Sequence, residues 1–170
     1  MAALETDNPF WRFSLRVYAE PGVAEECLAA QDSLGVDVNV LLFAAWLGAE
    51  RGIALDRTRL AQVEEAVAAW SDDVIKPLRA VRRRLKQMSE IEDPEVQALR
   101  KRVAQIELSA EQIEQALLYR LSGEFVRAAG SAATMQSNIT AVIAARGANR
   151  LAFPFASLLA ACRASAPTVK

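Results

Sequence analysis

The chain has 170 residues, 20 basic and 21 acidic side chains, a formal charge of −1 and no histidine. That length fits one domain with room for a sizeable core. The missing imidazole excludes a His general base, Ser-His-Asp and Cys-His nucleophile pairs, and His-ligated metal sites.

Alanine supplies 33 residues against 7 glycines and 6 prolines, which favours helix throughout. Asn8-Pro9 predicts the first helix start, because Asn caps and Pro needs no N–H partner at the first position. Phe10, Trp11, Leu15 and Tyr18 share a face of it, and Pro21-Gly22 ends it. A second helix is predicted over Pro21–Leu34, with Gly35 as its C-cap. Asp37 then caps a third, over Val38–Arg51, apolar nearly all round and therefore expected at the centre. Gly52 ends that helix and Asp56 caps the next.

From there, apolar residues fall at Leu60, Val63, Val67, Trp70, Val74, Leu78, Val81, Leu85 and Met88, a heptad pattern that slips once near Pro77. A proline inside a helix removes a hydrogen bond, which gives the slip a cause. A turn is predicted over Ser89–Asp93, and Pro94 restarts a helix. Its stripe runs Val96, Leu99, Val103, Ile106, Ala110, Ile113, Leu117, then Leu121 and Phe125, to about Ala129. Two heptad helices joined by a short turn predict an antiparallel hairpin, each arm roughly 45–50 Å long. After Gly130, helices are predicted over 131–147 and 155–164.

The expected fold is thus all-α: a helical bundle in a single domain over 1–170. Short helices occupy 8–52, a long antiparallel heptad hairpin 57–129 with its turn near 89–93, C-terminal helices 131–164, and a disordered tail 165–170.

Specific strings lie near the N-terminus. Phe10-Trp11-x-Phe13-Ser14 is followed by Tyr18-x-x-Pro21-Gly22-Val23, Cys27-Leu28, Gln31-Asp32-x-x-Gly35-x-Asp37-Val38-Asn39-x-Leu41-Leu42 and Trp46-Leu47. These resemble a family of small, all-helical proteobacterial proteins catalogued as a domain of unknown function. The likeness covers roughly residues 8–125 and is strongest over 10–47. It implies a bacterial cytosolic protein of this size and transfers no activity or catalytic residue.

The cysteines, Cys27 and Cys162, form no disulfide framework, which points to a reducing compartment. Residues 1–10 carry Glu5 and Asp7 and no basic group, so no secretory signal is read there. The longest apolar run, Val40–Ala49, falls short of the roughly 20 residues a bilayer span needs. A cytoplasmic protein without membrane association is the expectation.

The near-zero charge hides a polarity: residues 1–75 balance to −8, residues 76–102 to +5 and residues 103–170 to +2. Arg82, Arg83, Arg84 and Lys86 on one arm, with Arg100, Lys101 and Arg102 on the other, place a basic cluster near the hairpin tip. It could grip an acidic protein surface or nucleic-acid phosphates, or form interleaved salt bridges. The tip has no aromatic side chain for base stacking, which ranks nucleic acid below a protein.

Gln31, Asp32, Asp37 and Asn39 form the densest polar motif between apolar helices. They could line a polar pocket, although each also has a capping or turn role open to it. Glu107, Glu111 and Glu114 are read as a solvated face beside the core stripe, and Asp72-Asp73 as an exposed turn of helix. Cys27 is read as a core residue. No catalytic residue, metal ligand set or cofactor is assigned. The leading functional expectation is a non-enzymatic interaction, adaptor or regulatory protein using its hairpin, with an unidentified protein partner. A small-molecule binder or enzyme comes second, with a pocket between the Trp11 and Trp46 helices and the Gln31–Asn39 loop. RNA or DNA binding by the tip is third. Exposed flanks at Leu118 and Val126 suggest a homodimer.

Overall fold

Asn8 caps the first helix by accepting a 2.9 Å hydrogen bond from the Trp11 amide. Asp37, Asp56 and Asp93 do the same for three later helices. Helix starts are therefore set where a short polar side chain can satisfy orphan N–H groups. The computed structural model describes residues 3–88, 92–149 and 152–165. Residues 89–91 of the predicted turn and residues 166–170 of the predicted tail lie outside them.

The elements are α1 (Pro9–Tyr18), α2 (Val23–Leu34), α3 (Val38–Trp46), α4 (Arg57–Trp70), α5 (Lys76–Lys86), α6 (Pro94–Ser122), α7 (Ala132–Ala144) and α8 (Ala156–Ser165). No strand occurs among the described residues. All of α3 from Asn39 to Trp46 is buried, with α1, α2, α6 and α7 packed around it. Phe10, Phe43, Trp46 and Tyr119 form its aromatic heart, with ring centroids 5.2–5.9 Å apart.

Two π-helical turns interrupt the regular ladder. Leu47–Arg51 follows α3, and Ser71–Ile75 joins α4 to α5. The second accounts for the heptad slip: the wider turn stands just before Pro77, which has no N–H to continue an α ladder. At the first, Asn138 of α7 satisfies freed groups. It donates to the Ala44 and Ile53 carbonyls and accepts from the Leu55 amide. Gly48 is needed there, since a Cβ would stand 2.3 Å from Cα of Met135.

The structure corrects three expectations. The helix predicted to reach Ala129 stops at Ser122. The following chain lies over the first π turn instead, where Ala128 N–H donates to Arg51 O and Ser131 N–H to Gly48 O. The stripe predicted as the seam of α6 is partly outside, with Leu99 45% and Ile106 55% exposed. Leu118, read as an exposed flank, is fully buried, whereas Val126 is 83% exposed. The last two share one cause. The α6 helix packs on α1 and α3 as well as on the other arm, so its buried face is rotated from the seam a lone hairpin would use.

Elsewhere, α8 is tied down across the chain. Its first amides, Ser157 and Leu158, donate to the two carboxylate oxygens of Glu26 on α2. That pairing complements the positive end of the helix.

Candidate functional site

The rotated face of α6 carries Glu107, Ala110, Glu114 and Leu118, all buried. Glu107 is 5% exposed and Glu114 is 0% exposed, so the expectation of a solvated glutamate face is corrected. The reason is cover and pairing: α3 and α5 lie over this face, and α5 brings arginines with it. Arg79 donates to Glu107 at 3.1 Å and to Glu111 at 2.8 Å. Arg82 donates twice to Glu107, at 2.5 and 3.1 Å. These contacts step down α5 as they step up α6, the register of an antiparallel pair. Carboxylates can be taken from water here because guanidinium forks come with them.

A cleft of about 370 Å³ opens beside this network. That is within the range of small-molecule sites, roughly 300–1,000 Å³. Trp11, Leu15 and Tyr18 of α1, Leu28 of α2, Val38 and Leu42 of α3, and Ala104 and Leu108 of α6 give it apolar walls. Leu15, Leu28 and Leu108 are about half-exposed and form the rim. Ser14, Asn39, Glu107 and Gln115 are buried and form the floor, with Arg79, Arg82, Glu111 and Gln31 around it.

The floor is an ordered chain of side chains. Gln115 Nε2 donates to Asn39 Oδ1 at 2.8 Å, and Asn39 Nδ2 donates to Glu114 Oε2 at 2.5 Å. Buried around this chain, Ser14 Oγ, Gln115 Oε1 and Glu114 Oε1 have no hydrogen-bond partner. Unmet groups of this kind are uncommon in a packed interior and cost about 1–3 kcal/mol each.

Electrostatics follow from the pairing. Burial works against the Glu107 carboxylate, but the Arg82 and Arg79 hydrogen bonds outweigh it and hold its pKa below the usual value. Burial raises Glu111, and Arg79 only partly offsets that. Glu114 is pushed up to about 8, first by burial and then by the nearby charge of Asp37. It is therefore largely protonated at neutral pH.

The residues singled out in the sequence divide. Gln31 and Asn39 line the cleft. Asp37 caps α3 through the Asn39 and Val40 amides and accepts from Ser71 Oγ at 2.9 Å. Asp32 pairs with Arg83 at 2.7 Å on the surface, so basic arm and acidic N-terminal third do meet. Arg82 is committed to Glu107 inside the cleft. Arg84, Lys86, Lys101 and Arg102 are exposed, and Arg100 is half-buried. Trp46 belongs to the aromatic core rather than to the cleft, its indole N–H donating to Glu50. Asp72 is exposed and pairs with Lys76.

Sequence reading missed Ser14, Arg79, Glu111 and Gln115 as site residues. The signal available was the Glu107, Glu111, Gln115 line at four-residue spacing on α6, matched by Arg79 and Arg82 three apart on the other arm. Cys27 and Cys162 are buried and free, and burial pushes both thiols up to about 12, which leaves them unreactive. Among the described residues, no group of three or more Cys, Asp or Glu side chains is placed to hold a metal ion. Among them, too, no helix is long and apolar enough to cross a membrane.

Residues 9–118 match the family described as "Protein of unknown function (DUF2390)". Every residue lining the cleft lies within that stretch, whereas α7 and α8 lie beyond it. No curated protein and no solved structure matches the chain.

Proposed function

The chain belongs to this DUF2390 family, whose function is unknown, and on the chemistry of its cleft we propose that it binds a small amphipathic molecule. One observation carries this reading. An apolar-walled cavity of about 370 Å³ is lined as well by a few convergent polar side chains, Gln31, Arg79, Arg82, Glu107 and Glu111. A ligand head group would pair with those side chains, and its apolar part would cover the half-exposed leucines of the rim. The region between α1 and the Gln31–Asn39 loop is open where a purely structural role would have it filled.

The test is ligand-observed NMR with a library of small amphipathic amines, alcohols and acids, on wild type and Ala104→Trp. The indole should fill the cleft from its α6 wall. Binders of the wild type are expected to be lost in a variant whose melting temperature is unchanged. If Ala104→Trp melts early, Leu108→Trp on the rim replaces it. The same binders on both proteins, or none on the wild type, would overturn the reading.

A second reading is favoured by the outer half of the hairpin. Val81, Leu99 and Ile106 are half-exposed on adjacent helices, next to the exposed Arg84, Lys86, Lys101 and Arg102. Such a stripe suits contact with another protein or a second copy.

A further inference from the structure

A second cavity, of about 290 Å³, lies at the end of α6 away from the hairpin turn and shares no lining residue with the cleft. From it we infer that the protein has a separate site for a small oxyanion, a phosphate or carboxylate group received by the guanidinium groups of Arg51 and Arg120. This site is independent of the cleft and of what the cleft binds.

The charge on its walls is unbalanced. Arg51 closes the first π turn and Arg120 stands in the last turn of α6, and among the described lining residues only Glu5 opposes them. Neither arginine forms an ion pair with a described residue. In the cleft, by contrast, Glu107 and Glu111 meet Arg79 and Arg82. Arg127 adds a third cation without an ion pair. The Ala128 amide donates to the Arg51 carbonyl at 2.9 Å, which carries the preceding Arg127 to the same turn. Burial, and then the Arg127 charge, hold the Arg51 pKa below the ordinary arginine value. Backbone acceptors do not compensate. Ser122 Oγ takes the Tyr119 carbonyl, and the Gly123, Glu124 and Phe125 amides take those of Arg120, Leu121 and Ser122.

The Arg51 side chain is also held in place. Its guanidinium lies over the Trp46 ring, 5.1 Å from the centroid, and Trp46 packs on Tyr119 at 5.9 Å. Nε is enclosed there without a partner and lies beyond a ligand's reach, so recognition falls to the outer nitrogens, Nη1 and Nη2. Stacking fixes the plane of the fork before a ligand arrives, which suits paired hydrogen bonds to a phosphate or carboxylate. A cation would meet like charge on these walls, and a neutral molecule would leave the excess uncompensated. The volume suits a small ion with little apolar body, in keeping with the short Ala3 and Ala116 side chains on the same walls.

The test titrates methyl phosphate, succinate and methylammonium separately into the 15N-labelled full chain and follows the indole resonances. At least one of the two anions is expected to shift the Trp46 signal, beside Arg51, with saturation, while Trp11 on the cleft wall holds still and methylammonium moves neither. Arg51→Gln and Arg120→Gln should each weaken that anion about tenfold. Arg163→Gln, at an exposed arginine on α8, should leave its affinity within about twofold. Arg120 is itself exposed, so its variant keeps the test open if Arg51→Gln melts early. No saturable Trp46 shift with either anion overturns the inference, as does an equal response to methylammonium or an equal loss in Arg163→Gln. An anion that moves Trp11 alone binds in the cleft, which overturns this site and leaves the cleft reading standing.

Discussion

Glu114 is fully buried and has one hydrogen-bond donor, Asn39 Nδ2, on one of its oxygens. Burial and the Asp37 charge raise its pKa to about 8, from about 4.3 in an unfolded chain. Between those values the folded protein holds a proton that the unfolded chain does not. The stability gained from that proton is complete below about pH 4.3 and is lost as pH climbs through 8, on the order of 5 kcal/mol in all. Glu107 has the opposite sign. Its depressed pKa gives stability at neutral pH that is lost in acid. The melting temperature should therefore fall between pH 5.5 and 8.5. Glu114→Gln, which keeps the Asn39 contact, should remove most of that fall. Equal slopes for wild type and variant, measured by thermal denaturation across this range, would count against a protonated Glu114. At this scale the sequence was legible where a residue acts locally. Asn8, Asp37, Asp56 and Asp93 were readable as caps because their partners lie two or three residues away. Ser14, Arg79 and Gln115 were not, because their roles depend on neighbours brought from other helices.

Among the elements, the hairpin shows how far periodicity reaches. Both heptad arms form, and the slip at Pro77 resolves into a π turn. The face of α6 that goes inside was misread, since the pattern presumes that the two arms pack only on each other. Contact with α1 and α3 draws Glu107 and Glu114 inward and leaves Leu99 and Ile106 partly in water. The helix also ends early, because the chain after Ser122 is needed as a strap across the Leu47–Arg51 turn. The displaced stripe has a consequence. None of the residues of α5 is buried, and its Val81 stands half-exposed, as does Ile106 of α6. Exposed basic side chains flank the stripe, and the exposed acids Glu92, Asp93 and Glu95 lie at the hairpin end. A second copy laid against the stripe would cover the apolar groups. Light scattering of the wild type at high concentration is expected to give a dimer mass that Ile106→Glu reduces to the monomer. A wild type that stays monomeric removes this surface as a self-contact.

At the level of the whole molecule, two regions differ in character. One is a solid interior built on α3, closed by α7 and by α8, whose first amides Glu26 receives. The other is the cleft, where α1, α2, α3, α5 and α6 meet around paired charges and unmet polar atoms. The segregation of charge in the sequence anticipated this in part. The acidic N-terminal third and the basic arm do meet, through Asp32 and Arg83 on the surface. The buried part of the charge network is different: Arg79 and Arg82 of the basic arm meet glutamates of α6. The three tryptophans divide along the same line. The Trp46 indole donates to Glu50 and the Trp70 indole to the Ala110 carbonyl, both apart from the cleft, while Trp11 stands on the cleft wall. An amide-correlation spectrum of the 15N-labelled full chain, titrated with the strongest binder from the amphipathic library, therefore tests the central claim directly. The Trp11 indole resonance should shift with saturation while those of Trp46 and Trp70 hold their positions. A Trp11 signal that stays fixed through the titration, or that moves no more than the other two, would contradict a ligand-binding cleft.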